Sequence, residues 1–200
     1  MGKSTPSPSA GVRRNELSGQ GKLVLALSLT IGGVILVLII GRVFGLICPF
    51  YIPTGAMSPA VAAGDHVLME GVTYLSREPR RGDVLAFRTD GIAGLEPGQV
   101  FTKRVAGVPG DRLRISDGHL YVNGTRISLT NSFGEILYTS PYGSSAMQTN
   151  VVVPASHYFV LGDNSTNSLD SRYWGCLPRK NIRGRLFFCY SPASRFGVIE

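Results

Sequence analysis

The stretch YIPTGAMSPAVAAGDHVLM, residues 51–69, follows the longest apolar run of the chain and decides how the rest is organised. Pro53 disfavours helix at Ile52, so this part is predicted to run extended. Gly55 permits a positive φ, which predicts a tight turn immediately afterwards. A turn of small residues beside an extended edge is a suitable place for a hydrolytic nucleophile, and the residue at this turn is Ala56.

The apolar run upstream, residues 23–41, contains no charged residue. As a helix it would span about 28 Å, close to the ~30 Å hydrocarbon core of a bilayer. A helix buried in a soluble core is disfavoured because the run has no polar face. A cleaved signal peptide is disfavoured because the run is long and no clean small-residue cleavage site follows it. We therefore predict a transmembrane signal anchor over residues 23–47.

The charges before the anchor predict its orientation. Four basic residues and one acidic residue precede it: Lys3, Arg13, Arg14, Lys22 and Glu16. The positive-inside rule places the N-terminus in the cytoplasm. Residues 1–22 are then a disordered cytoplasmic tail, and residues 48–200 an exported domain.

The formal net charge of +7 does not predict nucleic-acid binding. From residue 43 onward the basic residues are scattered and nearly balanced by acidic ones, and no basic stripe with interleaved aromatic residues is present. A mildly basic face towards anionic lipid is the better interpretation, with the lipid bilayer as a partner.

The sequence gives only weak support for a metal site or a disulfide bond. His66, His119 and His157 have no metal-ligand spacing, so we expect no metal and no cofactor. Cys48 is interpreted as a small apolar residue. Cys176 and Cys189 could pair in an oxidising compartment or remain free, and their spacing does not decide between these states.

Short β-rich runs separated by turn residues predict an all-β exported domain. Asp117-Gly118 and Asn123-Gly124 predict two tight hairpins, because these dipeptides tolerate positive φ. Residues 130–150 are interpreted as a mobile insertion and residues 162–175 as a polar loop. The predicted strands cover residues 66–69, 84–87, 99–105, 113–116, 119–122, 125–129, 151–153, 158–161 and 184–190.

A lysine is the candidate base for a hydroxyl nucleophile. The exported part has two lysines, Lys103 and Lys180. Lys180 lies in a charged turn and is predicted to be solvated. Lys103 lies in a strand with apolar neighbours, and burial there would lower its pKa and favour the neutral amine. A surface lysine on a half-exposed strand is the other interpretation, and a Ser-His-Asp triad is not excluded by spacing.

Five segments in order resemble bacterial type I signal peptidase, a membrane-anchored endopeptidase of the Ser/Lys type. They are the anchor at 23–41, PTGAMSPAVAAGDHVLM at 53–69, RRGDVLAF at 80–87, KRVAGVPGD at 103–111 and GDNSTNSLDSRYWG at 162–175. The closing SRFGVIE at 194–200 is also similar. The resemblance implies a largely antiparallel β fold, with a catalytic core and a small inserted β subdomain over about residues 110–155. It implies removal of signal peptides from exported preproteins at the outer side of the bacterial cytoplasmic membrane, with the secretion translocon as a further partner.

The resemblance also assigns site residues. It implies that Lys103 is the general base, that the Ser168 hydroxyl orients it, and that Asp170 and Arg172 form a supporting ion pair. Thr54, with the backbone N–H of residue 56, matches the oxyanion hole. The walls of the substrate pockets match Ile52, Pro53, Met57 and Phe101.

The chain departs from the family pattern at the nucleophile, where Ala56 replaces the expected serine. Smaller departures are PAV at 59–61 and the uncharged Ser165 and Thr166. Cleavage is therefore expected to be impaired. Two alternatives stay open: Ser58 or Thr54 could supply the hydroxyl, or the chain could be a membrane-tethered protein that binds signal peptides without cleaving them.

Overall fold

The computed structural model describes residues 19–43, 47–131, 134–139 and 150–199. The chain divides into two compact units, residues 1–41 and residues 42–200, which are described separately. The cytoplasmic tail predicted for residues 1–22 lies mostly outside the described residues.

The first unit contains one long helix, α1, Gly19–Val43. Those of its apolar side chains that the structure describes are exposed, and the segment Gly19–Gly41 is long and apolar enough to cross a membrane. The hydroxyls of Ser28 and Thr30 donate to the carbonyls four residues earlier, at 2.9 Å each. These polar groups are therefore satisfied within the helix, as a helix in hydrocarbon requires.

The second unit consists of antiparallel sheets, so the all-β prediction is confirmed. Seven strands lie in the order β1-β2-β13-β3-β4-β11-β12, and β14 pairs with β13. A four-stranded sheet has the order β10-β5-β6-β7, and β8 pairs with β9. The strands are β1 Ile47–Tyr51, β2 His66–Glu70, β3 Val84–Arg88, β4 Val100–Gly107, β5 Arg112–Ser116, β6 His119–Val122, β7 Thr125–Ile127, β8 Thr130–Asn131, β9 Gly134–Glu135, β10 Asn150–Val152, β11 His157–Leu161, β12 Leu177–Pro178, β13 Ile182–Ser191 and β14 Gly197–Val198.

Helical structure in this unit is short. Among its described residues there are two α-helical turns, α2 (Thr73–Ser76) and α3 (Ser171–Trp174). The polar loop predicted for residues 162–175 contains α3 and a 3₁₀ turn at Ser165–Asn167, with no strand.

The two predicted hairpins form as the turn chemistry requires. Asp117 and Gly118 have φ of 51° and 79°, and Asn123 and Gly124 have φ of 53° and 83°. Positive φ at both central residues matches the right-handed twist of the flanking strands. The strands that these turns join, β5 to β7, follow the predicted boundaries to within two residues.

The region predicted as a mobile insertion, residues 130–150, is only partly described. Residues 132–133 and 140–149 lie outside the described residues. The described part differs from the prediction: Ile136 and Tyr138 are buried in the cluster formed by the four-stranded sheet. The Tyr138 N–H donates to the Gly118 carbonyl at 2.7 Å, which fixes this segment on the first hairpin.

All three cysteines are free thiols. Cys176 packs against the cluster of the four-stranded sheet, whereas Cys189 lies in a second cluster between β2, β3 and β13. The possible Cys176–Cys189 disulfide is therefore not formed, because the two side chains belong to different parts of the core.

Candidate active site

The loop that carries Ala56 is closed at its base by backbone hydrogen bonds. The Ile52 N–H donates to the Asp65 carbonyl at 2.9 Å, and the Gly64 N–H donates to the Ile52 carbonyl at 2.8 Å. Met57 is fully buried and fastens the loop to the core. The hydroxyl-bearing Thr54 stays exposed and Ala56 is half-buried.

The role of Met57 and Ile52 in substrate pockets stays a prediction. Both were expected to line substrate pockets, yet they are 0% and 1% exposed and belong to the core cluster beneath the turn. Pro53 and Phe101 do line the adjacent cleft. The chain turns inward at Ile52 and again at Met57, and both side chains pack in this cluster.

Lys103 lies on β4 and is 4% exposed. Its Nζ donates to the Thr102 carbonyl at 3.1 Å and lies 5.2 Å from the centre of the Phe101 ring. Burial lowers the pKa of Lys103 to about 8, an effect that Asp170 and Asp163 partly oppose. At this pKa an appreciable fraction of the amine is neutral near pH 8, as a proton acceptor requires. Of the two interpretations of Lys103, the buried one is therefore correct.

A cleft of about 580 Å³ brings the candidate residues together. It is open on one side and has polar side chains among apolar walls. Its lining residues are Phe50, Pro53, Thr54, Ala56, Gln99, Val100, Phe101, Thr102, Lys103, Thr166, Asn167, Ser168 and Leu169.

The loop after β11 packs directly on the Ala56 turn. The Asn164 N–H donates to the Ala56 carbonyl and its side-chain amide to the Gly55 carbonyl, both at 3.1 Å. Gly162 has no room for a side chain, because a Cβ there would lie 2.6 Å from the Ala56 carbonyl oxygen and closer still to the Ser168 hydroxyl. Ser168 is therefore brought beside the Ala56 backbone at the back of the cleft.

The Ser168 hydroxyl is buried and has no hydrogen-bond partner within the described residues. Buried hydroxyls are normally satisfied, so an orphan at a cleft wall is typical of a group held for function. Its role in orienting Lys103 stays a prediction.

Asp170 and Arg172 form a fully buried ion pair with Nε–Oδ1 and Nη2–Oδ2 distances of 2.8 Å each. Asp170 Oδ2 also accepts the Gly162 N–H at 3.0 Å. The pair thus holds the start of the loop against the short helix α3.

A second buried ion pair was not predicted from the sequence. Arg104 donates through Nε and Nη2 to Asp163 at 2.8 and 2.6 Å, and both side chains are almost fully buried. Strand alternation placed Arg104 on the face opposite Lys103, but its partner lies 59 residues away. Only the pairing of β4 with β11 brings the two together.

The described residues contain no group of side chains that could hold a metal ion. The three histidines are far apart: His66 packs on Tyr51, His119 lies near Glu135, and His157 contacts the Ala155 carbonyl.

The burial of Lys103 predicts a measurable effect on stability. Its folded-state pKa of about 8 lies below the ordinary 10.5, so the unfolded chain binds more protons between these values. The destabilisation caused by burying protonated Lys103 is therefore complete below pH 8, and it disappears as the pH rises through 10.5. At pH 7 the Lys103→Met protein is expected to be more stable by up to about 3 kcal/mol, and the gain should vanish near pH 10.5.

Urea unfolding in detergent at a series of pH values measures this difference. The matched control is Lys180→Met, because Lys180 is exposed. A Lys103→Met protein that is less stable than the parent at pH 7 would contradict the lowered pKa.

Comparisons with known proteins show the family of this chain. The family model described as "Signal peptidase, peptidase S26" matches residues 24–191. A probable signal peptidase I-2 of Synechocystis sp. is 37% identical over 150 residues, which cover 74% of this chain and 65% of that protein. A signal peptidase I of Leptolyngbya laminosa is 34% identical over 152 residues, 74% of this chain and 71% of that protein. The chain therefore belongs to the signal peptidase family, peptidase S26.

A solved signal peptidase I from Enterococcus faecalis is 31% identical to this chain. The match covers 55% of this chain and 97% of the other, with a TM-score of 0.41.

Proposed function

We propose that the chain is a membrane-anchored signal peptidase of the Ser/Lys type whose nucleophile position carries alanine. It binds the signal peptides of exported preproteins and, as it stands, cleaves them poorly or not at all. One observation carries the proposal: buried Lys103, with its lowered pKa, lines the same cleft as Ala56 and Thr54. Its Nζ donates to a backbone carbonyl and not to a carboxylate, which is typical of an amine kept for proton transfer.

The chemistry follows once a hydroxyl stands at position 56. Neutral Lys103 accepts the hydroxyl proton while the oxygen attacks the scissile carbonyl. Lys103 then gives that proton to the leaving amine, and it activates the water that releases the acyl group. A methyl group at position 56 can do none of this, so the missing hydroxyl blocks the first step.

The oxyanion that forms during attack would meet two donors. The Thr54 side chain lies in the cleft, and the Ala56 N–H has no acceptor within the described residues. One such donor is typically worth about 3 kcal/mol of transition-state stabilisation. Replacing serine by alanine leaves this backbone donor in place.

The substrate would bind as an extended strand beside β4. On β4, the pairing with β11 begins only at Arg104, whereas residues 100–103 pair with β3 on one side. The other side of this segment faces the cleft, which suits strand addition by a peptide. The apolar walls at Pro53, Phe101 and Leu169 would contact the small side chains before the cleavage site.

Cleavage of a purified preprotein in detergent tests the function. The Ala56→Ser protein is expected to cleave at least about 10³-fold faster than the parent, because it regains the nucleophile. In sealed vesicles, substrate should be cleaved only on the outer side if the N-terminus is cytoplasmic. An Ala56→Ser protein that binds the peptide but stays inactive would favour the non-catalytic alternative.

The alternative nucleophile is less well supported. Ser58 does not line the cleft, and its hydroxyl lies near the Cα of Gly55, 3.3 Å from the point a Cβ there would occupy. A displacement of about 1 Å can cost ~100-fold in rate. Ser58→Ala is the matched variant: residual cleavage by the parent that disappears with this substitution would show that Ser58 attacks.

The non-catalytic alternative has one observation in its favour. The cleft keeps its walls, Lys103 and the oxyanion donors, while only the attacking group is absent. A membrane-tethered protein that holds signal peptides would need the cleft without the hydroxyl. Binding of signal peptide by both the parent and the Ala56→Ser protein, without cleavage by either, would establish it.

A further inference from the structure

The Ser165 hydroxyl makes three hydrogen bonds, more than the side chain of either adjacent residue, although in the sequence Ser165 is only an uncharged departure from the family pattern. The residue is 6% exposed and begins the 3₁₀ turn before Ser168. Its hydroxyl accepts the Thr139 N–H at 2.7 Å, donates to the Thr139 carbonyl at 2.9 Å and accepts from Arg172 Nη1 at 2.9 Å. A hydroxyl has one donor and two acceptor sites, and all three are occupied.

Arg172 completes the same cluster. Its Nη1 also donates to the Thr139 carbonyl at 2.7 Å, and its Nη2 donates to the Ser165 carbonyl at 2.8 Å. The guanidinium is fully buried and paired with Asp170. We call Ser165, Thr139 and Arg172 the clasp. Because every polar group named here is satisfied, and the Ser165 and Arg172 side chains are buried, the clasp has one arrangement.

The clasp joins two parts of the domain that are distant in sequence. Thr139 follows Tyr138, which is buried in the cluster of the four-stranded sheet and bonded to the first hairpin. Ser165 lies between Asn164, which bonds the Ala56 turn, and Ser168, which packs on Gly162. The clasp thus connects the four-stranded sheet to Asn164 and Ser168, the two loop residues that contact the candidate site.

We infer that Ser165 is a positioning residue whose hydroxyl fastens the Ser168 loop to the inserted four-stranded sheet and thereby holds Ser168 and the cleft wall against Lys103. The inference rests on the proposed function of this cleft, and it adds a contact that acts through Ser168 and does not touch substrate. Without the clasp, the loop keeps the contacts of Asp163, Asn164 and Asp170, but its Ser165–Ser168 part is released and water gains access to the back of the cleft.

Three charged groups and burial act on the pKa of Lys103, and they define the change in this pKa that is expected in the Ser165→Ala protein. The charged groups are Asp170, Arg172 and Asp163, and burial acts more strongly than any of them. Admission of water reduces the burial effect, so the pKa of Lys103 should rise towards its ordinary value in Ser165→Ala. A merely structural loss of stability would not move this titration in the folded protein.

The experiment measures Lys103 titration by pH-dependent acetylation and mass spectrometry, with exposed Lys180 as the internal standard. In the parent chain, Ser165→Ala is expected to raise the apparent pKa of Lys103 by about 0.5–1. In the Ala56→Ser background it should lower kcat about tenfold at pH 8 and change KM little, because a catalytic group is misplaced. The matched control, Ser128→Ala, removes an exposed serine hydroxyl bond and should change neither value.

The outcomes separate this inference from the proposed function. An inactive Ala56→Ser protein contradicts the function, whereas the Lys103 titration in the parent chain still tests the clasp. If Ser165→Ala does not fold, Ser165→Cys keeps the volume with a weaker donor and should shift the titration in the same direction. Unchanged Lys103 titration in the folded variant would overturn the inference.

Discussion

In the Ala56→Ser protein, replacing Lys103 by methionine is expected to lower kcat/KM by about 10²–10⁴-fold. Methionine keeps the volume of the side chain but cannot accept the proton of the hydroxyl at position 56. The position of Lys103 in the cleft wall, beside Thr54 and Ser168, makes it the candidate for this role. Rates of preprotein cleavage by the single and double variants measure the loss.

The pH dependence of cleavage is a second test of Lys103 as the base. Lys103 must be neutral to accept a proton, and its pKa is lowered to about 8, chiefly by burial. In the Ala56→Ser protein, kcat/KM should therefore rise about tenfold per pH unit below pH 8 and level off above it. The residual activity of the Lys103→Met variant should lack this rise.

Lys180→Met is the control for the loss of a lysine. Lys180 is exposed and lies away from the cleft, so both the rate and the pH profile should stay unchanged. Full activity of the double variant Ala56→Ser/Lys103→Met would exclude Lys103 as the base and direct attention to another proton acceptor.

Loss of Arg104 is expected to cause the largest change in stability, about 3–5 kcal/mol. Arg104 forms a two-pronged pair with Asp163, and its Nη1 donates to the Gly82 carbonyl at 3.0 Å. In Arg104→Leu the Asp163 carboxylate stays buried without its cation, which is the costly condition for a buried charge. Urea unfolding in detergent at pH 7 measures the difference.

The matched control is Arg126→Leu. Arg126 also contacts both oxygens of one carboxylate, that of Glu135, but the pair is exposed. Such exposed pairs contribute little to stability, because water and salt screen them. An Arg104→Leu protein no less stable than Arg126→Leu would show that the buried pair is not required. Removing both partners, Arg104→Leu/Asp163→Leu, should restore part of the loss.

Local chemistry explains why much of the fold is predictable. The hairpin dipeptides at 117–118 and 123–124 require positive φ, and the structure has it. The apolar run at 23–41 predicts a helix because a segment that crosses hydrocarbon must satisfy its own backbone groups, and the structure extends the helix to Gly19–Val43. β1 was missed because its five residues include Pro49, which is tolerated only at a sheet edge, and the sequence does not show where the edge lies.

The candidate site was predictable only in its parts. Strand alternation left the burial of Lys103 undecided, since an apolar strand face can be covered or exposed. The groups that surround it come from the loop after β11, more than 50 residues later in the chain. Ser165 gave no local indication of its role, because its partners are the backbone of Thr139 and the guanidinium of Arg172.

Sequence alone determined the helix, the hairpins, the all-β class and the absence of a hydroxyl at position 56. These depend on residue chemistry and on neighbours within a few positions. Tertiary structure alone decided the burial of Lys103, the Arg104–Asp163 pair, and the burial of Ile52 and Met57 beneath the Ala56 turn. Burial and charge pairing depend on which strands become neighbours, and that is set by the packing of the whole sheet.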